Sequence, residues 1–337
     1  MAICESPARR IKKTYALYLC LLILGFGCRN STGPDSSQGT WELIRSAGTG
    51  YFHALSFADR NNGWAVGDSG RILCTGDGGN SWNVQASGTD TNLKCVHFAT
   101  AAQGWIGGWH NSIGVSTNGG TTWTWQHPAG DSTRIFMALS FIDATTGWVA
   151  DNLGGILHTL DGGKTWTPQS SGTPWAITSI QFLDAQEGWA TGTNLVVLHT
   201  TNGGNTWTTT TLDALNYGST IVFEDICFIN HSLGWIATNS MFSETIVHSV
   251  PIVGTSDAGR TWSCQGTPES DFITGITFIN NRTGWAAASR GILYTPDAGA
   301  HWTYQVQAEG FVDLCIVEQS RGWALTYSGD IYRNDTM

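Results

Sequence analysis

Charge is scarce in this 337-residue chain. Only 12% of its residues are Asp, Glu, Lys or Arg, and its 16 basic residues are outnumbered by 26 acidic ones. That balance argues against nucleic acid or an anionic membrane surface as the main partner. The longest apolar run, Tyr15 to Phe26, falls short of the ~20 residues that a spanning helix needs. Neither HxH nor HExxH occurs, so no metal centre or cofactor is expected. CxxC is absent too, and beyond residue 28 the eight cysteines fall to five, an odd number. A full disulfide framework is thereby disfavoured, with one or two bridges left open. Outside the first 28 residues no stretch keeps a helical period over ten residues. What abounds is Gly, at 42, and Trp, at 17, a composition of strands and turns.

The first residues predict an export leader. Arg9, Arg10, Lys12 and Lys13 precede the apolar run, which closes on Gly25-Phe26-Gly27-Cys28. A small residue before a Cys at this point resembles the bacterial lipobox, with Phe26 bulkier than usual. Cys28 is then the expected lipidation site, and an ordinary secretory signal or short anchor is the alternative. Residues 1–28 are accordingly read as a signal peptide, 29–38 (RNSTGPDSSQ) as a tether and 39–337 as the folded domain. Without residues 1–28 the chain keeps 12 basic and 25 acidic residues, a formal charge of −13. The expected location is a bacterial membrane. Arg29 after Cys28 favours the outer one, with the domain facing periplasm or surface.

A Gly-Trp pair recurs seven times, with its tryptophan at 64, 105, 148, 189, 235, 285 and 323. Six of these pairs are followed by an octapeptide. The copies are TGDGGNSW, STNGGTTW, TLDGGKTW, TTNGGNTW, TSDAGRTW and TPDAGAHW. A period near 40 with several short strands per repeat predicts an all-β, seven-bladed β-propeller of four-stranded antiparallel blades. In the third repeat, strand A is expected at 136–141, strand B opening at 147–150, strand C at 155–159 and strand D beginning at 166–169. The seventh repeat stops before its octapeptide, while Gly39-Thr40-Trp41 reads as the missing tail of one. Trp41 precedes Trp82 by one period. The N-terminal strand is therefore expected to complete the last blade.

The Gly-Trp spacing and these boxes resemble the BNR/Asp-box repeat propellers. Within them the chain is most similar to the photosystem II stability/assembly factor family, including its lipoprotein-like relatives in non-photosynthetic bacteria. The resemblance implies the propeller fold and says little about function. The box residues speak for themselves. Asp77, Asp161, Asp257 and Asp297 hold its third position, where Asn118 and Asn202 stand in two copies. Asn cannot act as a general base, yet it accepts backbone hydrogen bonds as Asp does. The box is thus read as a turn device, with no catalytic residue assigned.

In such a blade the B–C loops and the D-to-A connections share one face. The candidate partner-binding residues expected there are Asp68, Arg71, Trp109, His110, Arg134, Asp151, Trp175, Arg290 and Tyr327. Trp109 and Trp175 lie outside the repeated Trp positions, so the fold does not demand them. Two insertions flank blade five on this face, 212–225 with Tyr217 and 239–252 with Phe242. His158 and His199, at matching strand-C positions, are read as packed side chains.

The first functional expectation is a non-enzymatic, envelope-tethered scaffold that binds protein partners as a monomer, in the manner of an assembly factor. The resemblance implies a basic patch, and no dense Arg cluster is visible here, so only the binding mode carries over. The alternative is a glycoside hydrolase or glycan-binding propeller of the sialidase/xyloglucanase type. Against it, no Arg-Ile-Pro segment occurs, although Asp68 and Asp151 occupy matching B–C loops as a potential carboxylate pair.

Overall fold

Seven four-stranded sheets carry the repeat, and each is read directly from its hydrophobic alternation. In the first, Phe52–Phe57, Gly63–Gly67, Ile72–Thr75 and Asn83–Gln85 pair in order as an antiparallel meander. The remaining blades repeat this order, giving the all-β seven-bladed propeller in a computed structural model of the chain. The structure describes residues 39–337 apart from 47–49, 129, 213–220, 241–251, 269–270, 319–320 and 336–337. Chain contacts divide it into residues 1–35 and 36–337, and every described residue belongs to the second unit. Cys28 and the tether therefore lie outside the described residues, as do Tyr217 and Phe242.

The ring closes as the split repeat predicts. Glu42–Arg45 pairs with Ile331–Asn334 as the outer strand of the seventh sheet, so one blade joins both ends of the chain. In the third blade the strands run Phe136–Phe141, Gly147–Asp151, Gly155–Thr159 and Thr167–Ser170. Strand D thus starts one residue after the box tryptophan, whose indole has left the ladder to pack between blades. The blade-five insertions are partly sheet. Ile221–Phe228 and Gly234–Ser240 form a hairpin longer than the others, with Ile221 opposite Ser240 and Val222 opposite Asn239.

The tryptophans and phenylalanines explain why neighbouring blades adhere. In six blades the Gly-Trp indole lies flat on the last Phe of the next blade's strand A; facing Trp285, that position in blade seven is Ile316. Trp64 stacks on Phe98 at 3.4 Å, Trp105 on Phe141 at 3.5 Å and Trp148 on Phe182 at 3.4 Å. The box tryptophan then meets the same Phe edge-on, as Trp123 does to Phe98 at 5.9 Å. Most of the Gly-Trp indoles also donate a hydrogen bond across the seam, whereas Trp189 Nε1 has no acceptor among the described residues. Trp64 Nε1 donates to Gly119 O at 3.1 Å, Trp105 Nε1 to Gly162 O at 2.9 Å, Trp148 Nε1 to Gly203 O at 3.1 Å and Trp323 Nε1 to Gly78 O at 3.0 Å. These carbonyls sit at the fourth position of the following box. Where the seventh box is missing, Trp285 and Trp41 both donate to Gln305 Oε1, at 2.9 and 3.0 Å.

His158 stacks on Trp148 at 4.6 Å and His199 on Trp189 at 3.8 Å. Cys74, Cys95, Cys227, Cys264 and Cys315 are all free thiols.

Candidate functional site

The box is a turn held by its own side chains. Thr159 Oγ1 donates to Asp161 Oδ1 at 2.8 Å, and the Thr165 N–H and hydroxyl donate to the two carboxylate oxygens at 2.9 and 2.7 Å. Asn118 keeps this geometry with one role exchanged. Its Oδ1 still accepts from Ser116 Oγ and Thr122 N, while its Nδ2 donates to Thr122 Oγ1 at 2.9 Å. Asn202 repeats the arrangement through Thr200 and Thr206. Asp257 and Asp297 bond to their own boxes as Asp161 does, through Thr261 and His301. Hydrogen bonds from Ser81, and from Thr165, hold the Asp77 and Asp161 carboxyls down at about 2. An acceptor of this kind serves the turn and offers no proton at neutral pH.

The box turns all bind the A–B loop of their own blade; the Gly78 N–H, for example, donates to Asn61 O at 2.9 Å and the Gly162 N–H to Thr145 O at 2.8 Å. The B–C loops instead bind the D-to-A connections. The Asp68 N–H donates to Tyr51 O at 2.9 Å, that of Trp109 to Asn92 O at 3.0 Å and that of Tyr327 to Gly310 O at 2.7 Å. Two distinct faces result, and the exposed rings are not shared evenly between them. Trp109 is 38% exposed, Trp175 46%, Tyr51 53% and Tyr327 42%. These are all the exposed aromatics among the described residues, and all four lie on the B–C face. Tyr51 and Tyr327 stack on each other at 4.5 Å, across the seam where the ring closes. Leu153, exposed in the blade-three loop, extends the apolar character of this face. Tyr51 was not among the sequence candidates, since a lone Tyr before a strand carries no signal until Tyr327 is brought beside it.

The other candidates divide. Asp68, in the short 3₁₀ turn Asp68–Gly70, accepts from His53 Nε2 at 2.7 Å. Lys94 Nζ lies 3.2 and 3.4 Å from the two ring nitrogens of His53. Burial lowers the His53 and Lys94 values, the latter partly offset by Asp68. Arg71 packs on Gly50, whose φ of +149° and lack of a Cβ admit the guanidinium. His110, exposed, takes a positive φ of 57° in the tip beside Trp109. Arg290 is exposed and its Nε lies 3.8 Å from Asp271 Oδ1.

Asp151 and Arg134 form an interior pair. Asp151 is fully buried, and its Oδ1 accepts from Leu153 N and Gly155 N at 2.8 Å each. Arg134 Nε lies 2.9 Å from Asp151 Oδ2 without hydrogen-bond alignment. Asp151 thus shapes its loop and does not face solvent. Asp68 is on blade one, whereas Asp151 is buried in its own loop on blade three.

A cluster of arginines escapes the sequence because Arg60 of blade one and Arg321 and Arg333 of blade seven stand at opposite ends of the chain. Arg60, Arg321 and Arg333 meet on the box face at the closing seam. Arg321 Nε and Arg333 Nε reach Asp335 at 2.6 and 2.9 Å, and Arg60 Nε reaches Glu318 at 3.0 Å. Arg333 Nη1 also donates to Gly78 O at 3.0 Å, which ties the cluster to ring closure.

Along the axis the seven inner strands leave a cavity of ≈660 Å³, lined by His53, Lys94, Met137, Thr178, Glu224 and Asp313 among others. At the B–C end its lining residues His53 and Lys94 meet Asp68.

Comparison with known proteins bears on the family and the fold. Residues 33–125, 80–174, 124–269 and 170–309 match, in four overlapping stretches, the family described as Photosynthesis system II assembly factor YCF48. The Photosystem II assembly lipoprotein Ycf48 of Synechococcus sp. (strain CC9902) is 27% identical over 158 residues, which span 42% of this chain and 45% of that protein. The match thus covers less than half the length of that relative. A solved structure of YCF48 bound to D1 peptide superposes with a TM-score of 0.71 at 20% identity, covering 88% of this chain and 97% of the other. The Niastella koreensis GH74 enzyme gives 0.68 at 13% identity, covering 88% of this chain and 54% of that one. At these identities both superpositions concern the fold alone.

Proposed function

We propose a function from one premise: the chain belongs to the Photosynthesis system II assembly factor YCF48 family. It acts as a non-enzymatic scaffold that binds a protein segment on its B–C face. The observation that carries this reading is the gathering of Trp109, Trp175, Tyr51 and Tyr327, all the exposed aromatics among the described residues, on that face. Large rings held on a rigid support lose little entropy on binding and are frequent anchors at protein interfaces. Rigidity is supplied here by the Trp–Phe–Trp sandwiches between blades. That a family relative has been solved with a D1 peptide supports a peptide-like ligand.

The scaffold is exported, anchored through a lipid on Cys28, and set off from an outer membrane by residues 29–38, facing periplasm or surface. The basic run before the apolar leader and the lipoprotein name of the Synechococcus relative support this part of the reading. Mass spectrometry of the mature N-terminus tests it, with a diacylglyceryl cysteine at 28 expected and cleavage elsewhere refuting it.

Binding is tested by cross-linking in the native envelope. Partners captured by the wild type are expected to disappear with Trp109→Ala/Trp175→Ala/Tyr327→Ala, with the fold intact by circular dichroism. Retention of every partner sinks the reading. Capture of a glycan by the wild type on an array, lost in the same variant, assigns the face to carbohydrate instead.

A further inference from the structure

Charge is unevenly distributed around the axial cavity. Each inner strand bulges near its start, after its first residue in six blades and after Phe223, the third, in blade five, and the bulged side chain lines the cavity. Around the ring these are His53, Lys94, Met137, Thr178, Glu224, Thr274 and Val312. The two threonines are occupied. Thr274 Oγ1 donates to Phe311 O at 2.9 Å, and Thr178 Oγ1 donates to Phe223 O. Lys94 is occupied as well, against His53 and in the field of Asp68.

Blade five stands opposite, and it is acidic. Glu224 Oε1 accepts from Asn239 Nδ2 at 3.0 Å. Beside it, Asp225 accepts from Ser179 Oγ and Ile276 N, while Asp313 on blade seven accepts from Leu55 N at 2.7 Å. Those two aspartates are latches between blades. Burial pushes all three carboxyls up, Asp225 to about 6 and Asp313 to about 7, and the charge of Asp225 raises both Glu224 and Asp313 further. Among the described residues no Lys, Arg or His forms an ion pair with any of the three.

We propose that this cavity receives the cationic head of a lysine or arginine side chain, carried by the protein segment that crosses the aromatic face, with Glu224 as its principal partner. The inference rests on the binding reading given above and specifies its ligand. The cavity is roomy enough for such a side chain with its water. Met137 and Val312 offer apolar wall to the stem, as long cationic side chains prefer. Tyr327, whose exposed ring lies 5.7 Å from that of the lining residue His53, suits a cation on its way in. The formal charge of −13 beyond residue 28 favours approach of a basic segment.

Titration calorimetry on the full-length protein in detergent tests this with three capped peptides, GSGFGXGFGSG, in which X is Arg, Gln or Glu. The Arg peptide is expected to bind at least tenfold tighter than the Gln peptide, and the Glu peptide more weakly than both. Glu224→Gln, which keeps an acceptor for Asn239, should reduce the Arg-over-Gln preference below threefold and leave the Gln peptide unchanged. Equal binding of Arg and Gln peptides overturns the inference. So does a preference that survives Glu224→Gln, or no binding of the Arg peptide at millimolar concentration. Trp109→Ala/Trp175→Ala separates the two levels. If it weakens all peptides alike, the face reading stands whatever the cavity does. If it weakens none while the Glu224-dependent preference persists, the cavity inference stands and the face reading falls.

Discussion

Replacing Trp148 by Phe tests how the blades are held together. Trp148 is fully buried, stacked on Phe182 at 3.4 Å and backed by His158, with its Nε1 donating to Gly203 O at 3.1 Å. Phe keeps an aromatic ring against Phe182 but loses the donor and part of the buried area. The smaller ring costs about 1–2 kcal/mol in transfer and cavity terms. The hydrogen bond adds about 1 kcal/mol. Gly203 O is not orphaned, because Gln169 Nε2 also donates to it at 2.8 Å, so no further penalty for a lost partner is due. Trp189 supplies a natural control. It is stacked between Phe228 and His199 in the same way, yet its buried Nε1 has no acceptor among the described residues. The blade-four outer strand also has Thr210 where its neighbours carry Gln169 and Gln265. Trp189→Phe therefore pays only the size term. Urea unfolding followed by near-ultraviolet circular dichroism should place Trp148→Phe about 2–3 kcal/mol below wild type and Trp189→Phe about 1 kcal/mol closer to it. Equal losses, or a larger loss at 189, would show that the indole-to-box bond is not part of the adhesion.

Three further outcomes are expected. Trp41→Ala should loosen ring closure by about 3–5 kcal/mol, since Trp41 is buried against the blade-six core and bonded to Gln305; limited proteolysis should then cut first near the seventh blade, and cleavage elsewhere argues against closure through this strand. Asp161→Asn should match wild type in melting temperature at pH 7, because Asn118 and Asn202 already form the same turn, whereas Asp161→Ala should melt lower. The folded-state value of Asp161, about 2, lies below that of an unfolded carboxyl, so its contribution is present above pH ~4 and lost as pH falls toward 2; Asp161→Asn should be the more acid-resistant in that window. His97 has the opposite chemistry but the same direction of loss. Burial lowers it to about 4, so folding favours its neutral form and stability drains as pH falls from ~6.5 to 4, and His97→Gln should gain on wild type by at most about 3 kcal/mol across that interval in pH-dependent denaturation.

The box illustrates why part of this protein is legible without coordinates. Asp161 and Asn118 alternate at one repeated position, and only a turn acceptor tolerates that exchange, so the hydrogen bonds at Thr165 and Thr122 follow from the residues alone. Ring closure was legible for a similar reason, since Trp41 sits one period before Trp82. Asp151 was not legible. It occupies a B–C loop like Asp68, yet it turns inward to cap its own loop while Asp68 turns toward His53. Nothing local distinguishes them, because the difference is made by Arg134 on one side and Lys94 and His53 on the other.

Periodicity by itself determined the blade count, the strand order and the face on which each loop lies, because a repeat that cannot bury its own flank must stack on a copy of itself. Only the tertiary structure decided which residues become neighbours across that stacking. It brought Tyr51 to Tyr327 over the closing seam, gathered Arg60, Arg321 and Arg333 on the far face, and set Glu224 across the axis from Lys94. Each group draws on repeats that stand far apart in the chain. Their proximity comes from the closure of the ring, a property that no single repeat contains.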